Sequence, residues 1–205
     1  MLRFDAIVGD IPYLLLGIPL TLAITLVAYV AGIVLALPIA VARSAAVPVV
    51  SQVVQTLVEF FRTTPPLMHI VWAYYALPVL VDIRLDAFTV VAGALACSSA
   101  AQMSEIFRGA ILAVPRGQWD AGQVIGLSYG QRLRWVILPQ SLRLVYAPAC
   151  NALVSLLKQS SLAAVIAVPE VMNRGWLLAA QNFRPIEVLS TVALIYFFLT
   201  WPLVL

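Results

Sequence analysis

Uncharged stretches divide the chain into segments that are long enough to cross a membrane. Charged residues interrupt the apolar sequence at intervals of about one membrane thickness, and one of the apolar stretches contains a single lysine, Lys158. At about 1.5 Å per residue, about 20 residues of helix cross the roughly 30 Å hydrocarbon core of a bilayer. The pattern predicts an all-α integral membrane protein, with one transmembrane domain over residues 1–205. The predicted spans lie at about residues 11–42, 52–80, 87–106, 144–168 and 187–205.

The composition supports a membrane protein and excludes several other classes. Of the 205 residues, 63% are hydrophobic and 10% are charged, whereas soluble domains average about 25% charged residues. The 13 prolines and 10 glycines favour kinked spans, because neighbouring helices in lipid can satisfy interrupted backbone bonds. The cysteines, Cys97 and Cys150, lie far apart in apolar sequence, which excludes CxxC redox and zinc patterns.

The distribution of arginines predicts the orientation of the chain. With five spans and an extracytoplasmic N-terminus, the cytoplasmic loops hold seven arginines and three carboxylates, a net charge of +4. The extracytoplasmic segments then hold four arginines and six carboxylates, a net charge of −2. Because basic loops stay in the cytoplasm, we expect the N-terminus outside and the C-terminus inside. The basic excess is thus explained by topology and does not require nucleic acid binding.

The polar segment over residues 107–143 is too polar to span and predicts two short cytoplasmic helices. The first covers about residues 118–125 and ends at Gly126, which can adopt the left-handed conformation that terminates helices. Ser128 is followed three residues later by Gln131, the capping-box pattern of a helix start. We therefore expect a helical hairpin on the cytoplasmic surface.

The second hairpin helix is predicted to be amphipathic and to end at Pro139. Leu133, Val136 and Ile137 share one of its faces, away from the neighbouring arginines. Arginines together with Trp119 are equally typical of an interfacial helix that lies on lipid headgroups. Pattern alone leaves both interpretations open.

The hairpin residues resemble the EAA motif of ABC importer permeases, EAA-x3-G-x9-I-x-L-P. Asp stands in place of Glu, Gly in place of the second Ala and Val in place of Ile, while the spacing agrees throughout. The motif positions are taken by Asp120, Ala121, Gly122, Gly126, Val136, Leu138 and Pro139, and Ile137 takes the variable position between Val136 and Leu138.

Flanking sequence resembles the polar amino-acid class of these permeases in particular. The segments SEIFRGAILAVPRGQWDAG and LLKQSSLAAVIAVPEVM lie on either side of the hairpin. EFFRTTPPLMH, starting at Glu59, is similar to the Glu-x-x-Arg-Gly-Thr-Pro segment of that class, with Thr63 in place of Gly. The resemblance covers nearly the whole chain.

The resemblance implies the membrane subunit of a type I importer of polar amino acids in a bacterial plasma (inner) membrane. Its partners would be a second permease subunit, identical or homologous, a cytoplasmic ABC ATPase dimer and an extracytoplasmic solute-binding protein. ATP and Mg would bind to the ATPase, since this chain has no GxxxxGK[ST] motif; we expect no cofactor or metal on the chain itself.

The resemblance also assigns the hairpin as the element that couples the permease to the ATPase. We expect Asp120 near a helix start, where the helix dipole stabilises negative charge. Gly122, Gly126 and Gly130 are spaced by four residues, so they predict a strip without side chains on which the backbone of a partner can lie close. The coupling residues are Asp120, Ala121, Gly122, Gly126, Leu138 and Pro139.

A second set of polar residues is predicted to line the substrate path or its gate. Glu59 with Arg62, and Glu105 with Arg108, are i, i+3 pairs near the cytoplasmic ends of spans. Whether they stabilise a gate or contact substrate is left open by the pattern. Lys158, Gln159, Ser160 and Ser161 form the polar cluster of the fourth span, and ionisable residues in membranes tend to be functional. The related permeases carry Asp where this chain has Gln159, so Lys158 lacks that local partner.

Two other functions compete with the importer. Gly126, Ser128 and Gly130 match the G-x-S-x-G motif of hydrolases, which requires a preceding strand and a histidine base; no strand pattern precedes it, so we reject it. A stand-alone secondary amino-acid transporter or channel also carries proline kinks and buried charges. The absence of an obvious inverted repeat weakens this alternative, and co-purification with an ATPase distinguishes the two.

Overall fold

The computed structural model describes residues 3–43 and 48–203, and every regular element in these ranges is helical. The final residues of the fifth predicted span, 204 and 205, lie outside the described residues. Short 3₁₀ segments cover Phe4–Asp10, Ser160–Ile166 and Trp201–Leu203, and a π-helical turn covers Leu133–Ile137. The α-helices are α1 Ile11–Leu15, α2 Ile18–Arg43, α3 Pro48–Thr63, α4 Pro66–Val81, α5 Ala87–Leu112, α6 Arg116–Val124, α7 Tyr129–Arg132, α8 Leu138–Gln159, α9 Val171–Asn182 and α10 Pro185–Thr200.

Four helices in the described ranges are long and apolar enough to cross a membrane, and a bent helix pair makes a fifth span if it is counted as one. They are Ile18–Ala40, Ala87–Leu112, Tyr129–Ile166 and Pro185–Leu203. The bent pair comprises Val49–Thr63 and Pro66–Val81, which meet at 103°. The all-helical membrane fold expected from the sequence is confirmed.

The break between α3 and α4 has a local cause in the sequence. Thr64 precedes Pro65, which itself precedes Pro66, and a residue before proline is disfavoured in the helical region. Pro65 accordingly has an extended ψ of 133° and stands immediately before α4. The chain therefore turns sharply at this point, and the segment predicted as a span over residues 52–80 consists of two helices.

The core lies where α2 and α5 pack together, with α4 and α8 against them. Ile24, Ile70, Leu95 and Leu156 are buried in this cluster. A second cluster joins α1, α9 and α10, and its buried residues include Leu14, Val171, Leu178, Val188 and Val192. Many large apolar side chains point outward, as expected of a chain surrounded by lipid.

Gly17 permits the close approach of these two parts of the structure. A Cβ atom at this position would lie 2.5 Å from the backbone nitrogen of Val171 and 2.7 Å from its Cα. Such distances leave no room for a side chain, and the neighbouring atoms belong to backbone that cannot rotate away. The corner between α1 and α2 therefore lies directly on the start of α9.

The predicted helix end at Pro139 is wrong. The π-helical turn Leu133–Ile137 leads into α8, which begins at Leu138 and has Pro139 in its first turn. The whole segment Tyr129–Ile166 thus forms one helix of 38 residues. Proline normally clashes with the carbonyl group four residues earlier, and the wider turn before it relieves this clash.

Candidate functional site

The hairpin after α5 has the two-helix form expected from the sequence. α6 ends at Val124, and Gly126 follows with a left-handed φ of +80°. The Leu127 N–H donates to the Gly122 carbonyl over 3.0 Å, which satisfies an otherwise free carbonyl at the helix end. The predicted helix stop at Gly126 is confirmed.

The capping box at the start of α7 is also confirmed. The Gln131 N–H donates to the Ser128 hydroxyl over 3.4 Å, and the Ser128 N–H donates to Oε1 of Gln131 over 2.9 Å. These reciprocal bonds satisfy backbone donors that the helix itself cannot pair. Ser128 is therefore a helix cap within a helical hairpin.

Arg132 holds the two arms of the hairpin together. Its Nη1 donates to Oε1 of Gln123 over 3.0 Å and to the Trp119 carbonyl over 3.4 Å. The aliphatic part of its side chain covers Gly122, where a Cβ atom would lie 2.9 Å from Cγ of Arg132. Trp119 also stacks on Tyr129 with a centroid distance of 5.5 Å. Sequence reasoning did not identify these contacts.

The predicted glycine strip is wrong. Gly122 is buried beneath Arg132, Gly126 ends α6, and no atom lies within 4 Å of a Cβ placed on Gly130. The three glycines have different surroundings because α6 and α7 are separate helices rather than one. The expected position of Asp120 also needs correction, since α6 begins at Arg116 and its first turn holds no acidic residue.

The free face of α6 is apolar at its end. Val124 is 86% exposed and Ile125 is 73% exposed, while Asp120 and Ala121 lie exposed on the same short helix. Leu138 and Pro139 are exposed on the following helix. We call the surface of Asp120, Ala121, Val124 and Ile125 the coupling surface, after the role that the sequence resemblance implies for the hairpin.

Charged residues at the hairpin end of the bundle form ion pairs. Nη1 of Arg62 lies 3.1 Å from Oε1 of Glu59, and Glu105 pairs with Arg108, as the i, i+3 spacing predicted. Arg43, at the end of α2, lies 2.7 Å from Glu105 as well. Sequence reasoning missed Arg43 because it is 62 positions away in the chain.

Two cavities lie beside these ion pairs. The first, of about 350 Å³, lies between the α3–α4 bend, α5 and the end of α8. The second, of about 460 Å³, lies closer to the hairpin, and Glu105, Gly109 and Pro148 are in its wall. Arg62 and Gln102 line both, so the cavities adjoin one another along α5.

The structure brings only some of the predicted path residues to these cavities. Arg62 and Gln159 line the first cavity, and Glu105 lines the second. Lys158 is exposed, whereas the buried Ser160 hydroxyl donates to the Leu157 carbonyl over 2.7 Å.

Five of the predicted path residues stand outside the walls described for the two cavities: Glu59, Arg108, Lys158, Ser160 and Ser161. Glu59 and Arg108 take part in the ion pairs beside the cavities. The Ser161 hydroxyl donates to the Lys158 carbonyl over 2.7 Å, which is a bond within its own helical turn.

Ser98, Gln102 and Ser155 line the first cavity and were missed, although their spacing from the predicted residues Glu105 and Gln159 carried a signal for them. Ser98, Gln102 and Glu105 are spaced by four and three residues, so they share one face of α5. Ser155 and Gln159 are likewise one turn apart on α8, and Nε2 of Gln159 donates to the Ser155 hydroxyl over 3.2 Å. Ser98 and Gln102 of the first stripe and both residues of the second stripe line the first cavity, whereas Glu105 lines the second.

A buried carboxylate fixes the opposite end of the molecule. Glu170 is 0% exposed and caps α9, accepting bonds of 2.8 Å from the Met172 and Asn173 N–H groups. The Tyr196 hydroxyl donates to the same carboxylate over 2.7 Å. Burial raises the pKa of Glu170 above its ordinary value, and the bonds from Tyr196 and the two backbone groups partly oppose this rise.

Comparison with known proteins identifies the family of the chain. Residues 28–205 match the family described as binding-protein-dependent transport system inner membrane component. The probable amino-acid ABC transporter permease protein YckA of Bacillus subtilis is 36% identical over 92% of this chain and 83% of its own length. The glutamine transport system permease protein GlnP of Escherichia coli is 35% identical over 97% of this chain and 92% of its own.

Solved structures agree with these sequence relatives. A chain from an amino acid ABC transporter crystallised with histidines has a TM-score of 0.94 and 28% identity, over 99% of this chain and 94% of its own. The MetNI methionine ABC transporter shares the fold, with a TM-score of 0.78 and 23% identity, over 93% of this chain and 91% of its own. The chain belongs to the family of inner membrane components of binding-protein-dependent transport systems; it is a multi-pass permease subunit, and ATPase activity lies with a separate subunit.

Proposed function

We propose that the chain is the permease subunit through which an ATP-driven importer moves polar amino acids into the cell. One observation carries the proposal. The exposed coupling surface and the polar first cavity are joined by the single helix Tyr129–Ile166, which begins beside α6 and contains Gln159. A force applied to the hairpin would therefore act directly on a wall of the cavity.

The coupling surface is proposed to bind a groove on the ATPase. Val124 and Ile125 would supply apolar contact, and Asp120 would add a charge that fixes the register. Arg132 and the Trp119–Tyr129 stack keep α6 rigid, so that movement of the ATPase is passed on rather than absorbed. The ATPase dimer would bind ATP and Mg, and no cofactor is assigned to this chain.

We propose the other subunits of the assembly from the family to which the chain belongs. A second permease subunit would lie beside this one, and an extracytoplasmic solute-binding protein would deliver the substrate. We propose that the hairpin end faces the cytoplasm, since seven arginines lie in the loops on that side and the N-terminus then lies outside. Relatives are named for glutamine, arginine and cystine at 30–36% identity, which supports amino acids as the substrate class without selecting one.

Within this function, we propose that Arg62, Gln159 and Glu105 line the path. The ion pairs that Glu59 forms with Arg62 and Arg108 forms with Glu105 would stabilise its cytoplasmic gate. Lys158, Ser160 and Ser161 stay predicted path residues. Because Lys158 is exposed on α8, it would reach the path from the side that a second permease covers. Lys158→Met leaving both transport rate and substrate choice unchanged would remove it from the proposal.

Co-expression with the cognate ATPase tests the function. We expect the chain to co-purify with the ATPase, and Asp120→Arg to separate ATP hydrolysis from amino-acid uptake in proteoliposomes. Asp5→Arg is the matched control, because Asp5 is exposed in the 3₁₀ segment at the other end of the molecule. Uptake driven by an ion gradient with this chain alone would instead support a secondary transporter.

A further inference from the structure

The first cavity has an unusual charge balance. Among the described residues, eleven side chains line it, and Arg62 is the only charged one. Its other polar groups are neutral hydroxyls and amides, contributed by Thr64, Ser98, Ser99, Gln102, Ser155 and Gln159. The cavity volume of about 350 Å³ is within the range of small-molecule sites. The lining therefore offers one positive charge and many neutral hydrogen-bonding groups.

The nearby carboxylates already have partners. Glu59 lies 3.1 Å from Arg62, and its side chain is 47% exposed rather than part of the cavity wall. Glu105 lines only the second cavity and pairs with both Arg43 and Arg108. Neither carboxylate is placed to receive a positive charge inside the first cavity.

We propose that the first cavity selects amino acids with an uncharged polar side chain. The α-carboxylate would displace Glu59 from Arg62, because the side chains of that ion pair are 37% and 47% exposed and such pairs are weak. The amides of Gln102 and Gln159 with the serine hydroxyls would bind the substrate side chain. This inference rests on the proposed function and names the substrate class of that same path. Under this inference, Gln102, Ser98, Ser99 and Ser155 contact the substrate in addition to Arg62 and Gln159.

Charge explains the discrimination. The α-ammonium and α-carboxylate groups are common to all amino acids, so selectivity comes from the side chain. A cationic side chain would enter a partly desolvated space that holds a guanidinium and no carboxylate, and an unpaired charge there is costly. An acidic side chain would bring a second carboxylate to a site with a single arginine.

Gln159 is the position where this selectivity can be changed with least disturbance. Glu has nearly the shape of Gln, so Gln159→Glu places a negative charge in the wall while the helix end is preserved. Gln181→Glu makes the same amide-to-carboxylate change on α9, at an exposed residue outside the cavity lining and away from the α8 face of Lys158. The two variants separate a charge inside the cavity from a charge elsewhere on the molecule.

The test uses the permease–ATPase complex in lipid nanodiscs without a binding protein, so that only the membrane site selects. Equilibrium dialysis measures the Kd of radiolabelled L-glutamine, L-asparagine, L-serine, L-lysine and L-glutamate. We expect the best neutral amino acid to bind at least about tenfold more tightly than lysine or glutamate, which corresponds to about 1.4 kcal/mol. Lysine or glutamate binding as tightly as the best neutral ligand would overturn the inference.

The variants give a second, independent result. Gln159→Glu should move the neutral-to-lysine affinity ratio towards lysine by at least about tenfold, again about 1.4 kcal/mol, while Gln181→Glu leaves the ratio unchanged. Arg62→Gln should lower the affinity for every amino acid by a similar factor. A ratio that moves equally in Gln159→Glu and Gln181→Glu, or unchanged binding in Arg62→Gln, would refute the assignment. A complex that assembles and hydrolyses ATP but prefers lysine refutes this inference alone, whereas failure to assemble refutes the proposed function.

Discussion

Arg132 offers a direct test of how the hairpin keeps its shape. Its guanidinium group donates to Gln123 over 3.0 Å and to the Trp119 carbonyl over 3.4 Å, and its methylene groups cover Gly122. Arg132→Ala removes all of these contacts from the seam between α6 and the following helix. α6 would then be held by the Trp119–Tyr129 stack and its connections to the chain.

The size of the effect follows from these contacts. A typical hydrogen bond contributes about 0.5–1.5 kcal/mol net, and the aliphatic part of a long side chain adds packing energy of its own. Partial exposure of Arg132 reduces the electrostatic part, so we expect a total of about 2 kcal/mol for the hairpin. Since about 1.4 kcal/mol corresponds to a factor of ten, the open population of α6 should rise roughly 30-fold.

Hydrogen exchange of the purified chain in nanodiscs measures this opening. Amides over residues 119–127 should exchange roughly 30-fold faster in Arg132→Ala, while amides of the buried part of α5 keep their protection. Arg134→Ala is the matched control, because Arg134 is exposed two residues further along the chain. Unchanged exchange over residues 119–127, or an equal change in both variants, would show that Arg132 does not hold the hairpin together.

Further predictions concern the two ends of the bundle. Gly17→Ala should lower the free energy of unfolding by about 1–3 kcal/mol and the melting temperature by several degrees, because its Cβ would lie 2.5 Å from the backbone nitrogen of Val171. Gly9→Ala is the control and should leave the melting temperature unchanged, because a Cβ at Gly9 would lie in open space. Burial raises the pKa of Glu170 above 4.5, so the folded state binds its proton more tightly than the unfolded state. Stability should therefore fall as the pH rises from about 4.5 through the raised pKa, and Glu170→Gln should flatten this slope in thermal melts. Arg43→Gln leaves Glu105 with only Arg108 and should cost about 1–2 kcal/mol in the same assay, because a partly buried carboxylate loses one of its two cations.

The hairpin could be predicted because its signals are local. A glycine at a helix end and a serine three residues before a glutamine specify their own hydrogen bonds, whatever the rest of the chain does. The helix end predicted at Pro139 was wrong because the outcome there depends on the backbone geometry of the preceding turn. Proline within a helical pattern usually marks a helix end, but the π-helical turn over Leu133–Ile137 accommodates it here. No residue type in that turn predicts a π-helical rather than an α-helical turn.

The cavity was harder to predict because its wall comes from helices far apart in the sequence. The polar spacing of Ser98, Gln102 and Glu105 marks one face of α5, but which helices meet that face depends on packing. The pairing of Arg43 with Glu105 is of the same kind, since 62 positions separate the two residues. Local sequence can indicate that a helix face is polar, and only the tertiary fold determines its partners.

The continuous helix from Tyr129 to Ile166 explains why the coupling surface and the cavity can act as one device under the proposed function. At about 1.5 Å per residue, Gln159 lies about 45 Å along this helix from Tyr129. A hinge or loop between them would absorb motion, whereas a helix transmits it as rotation or tilt. The π-helical turn and Pro148 are the places where this helix is weakest, and Pro148 lies in the wall of the second cavity. Movement of the hairpin would therefore be expected to change the second cavity first and to reach Gln159 through the helix beyond it.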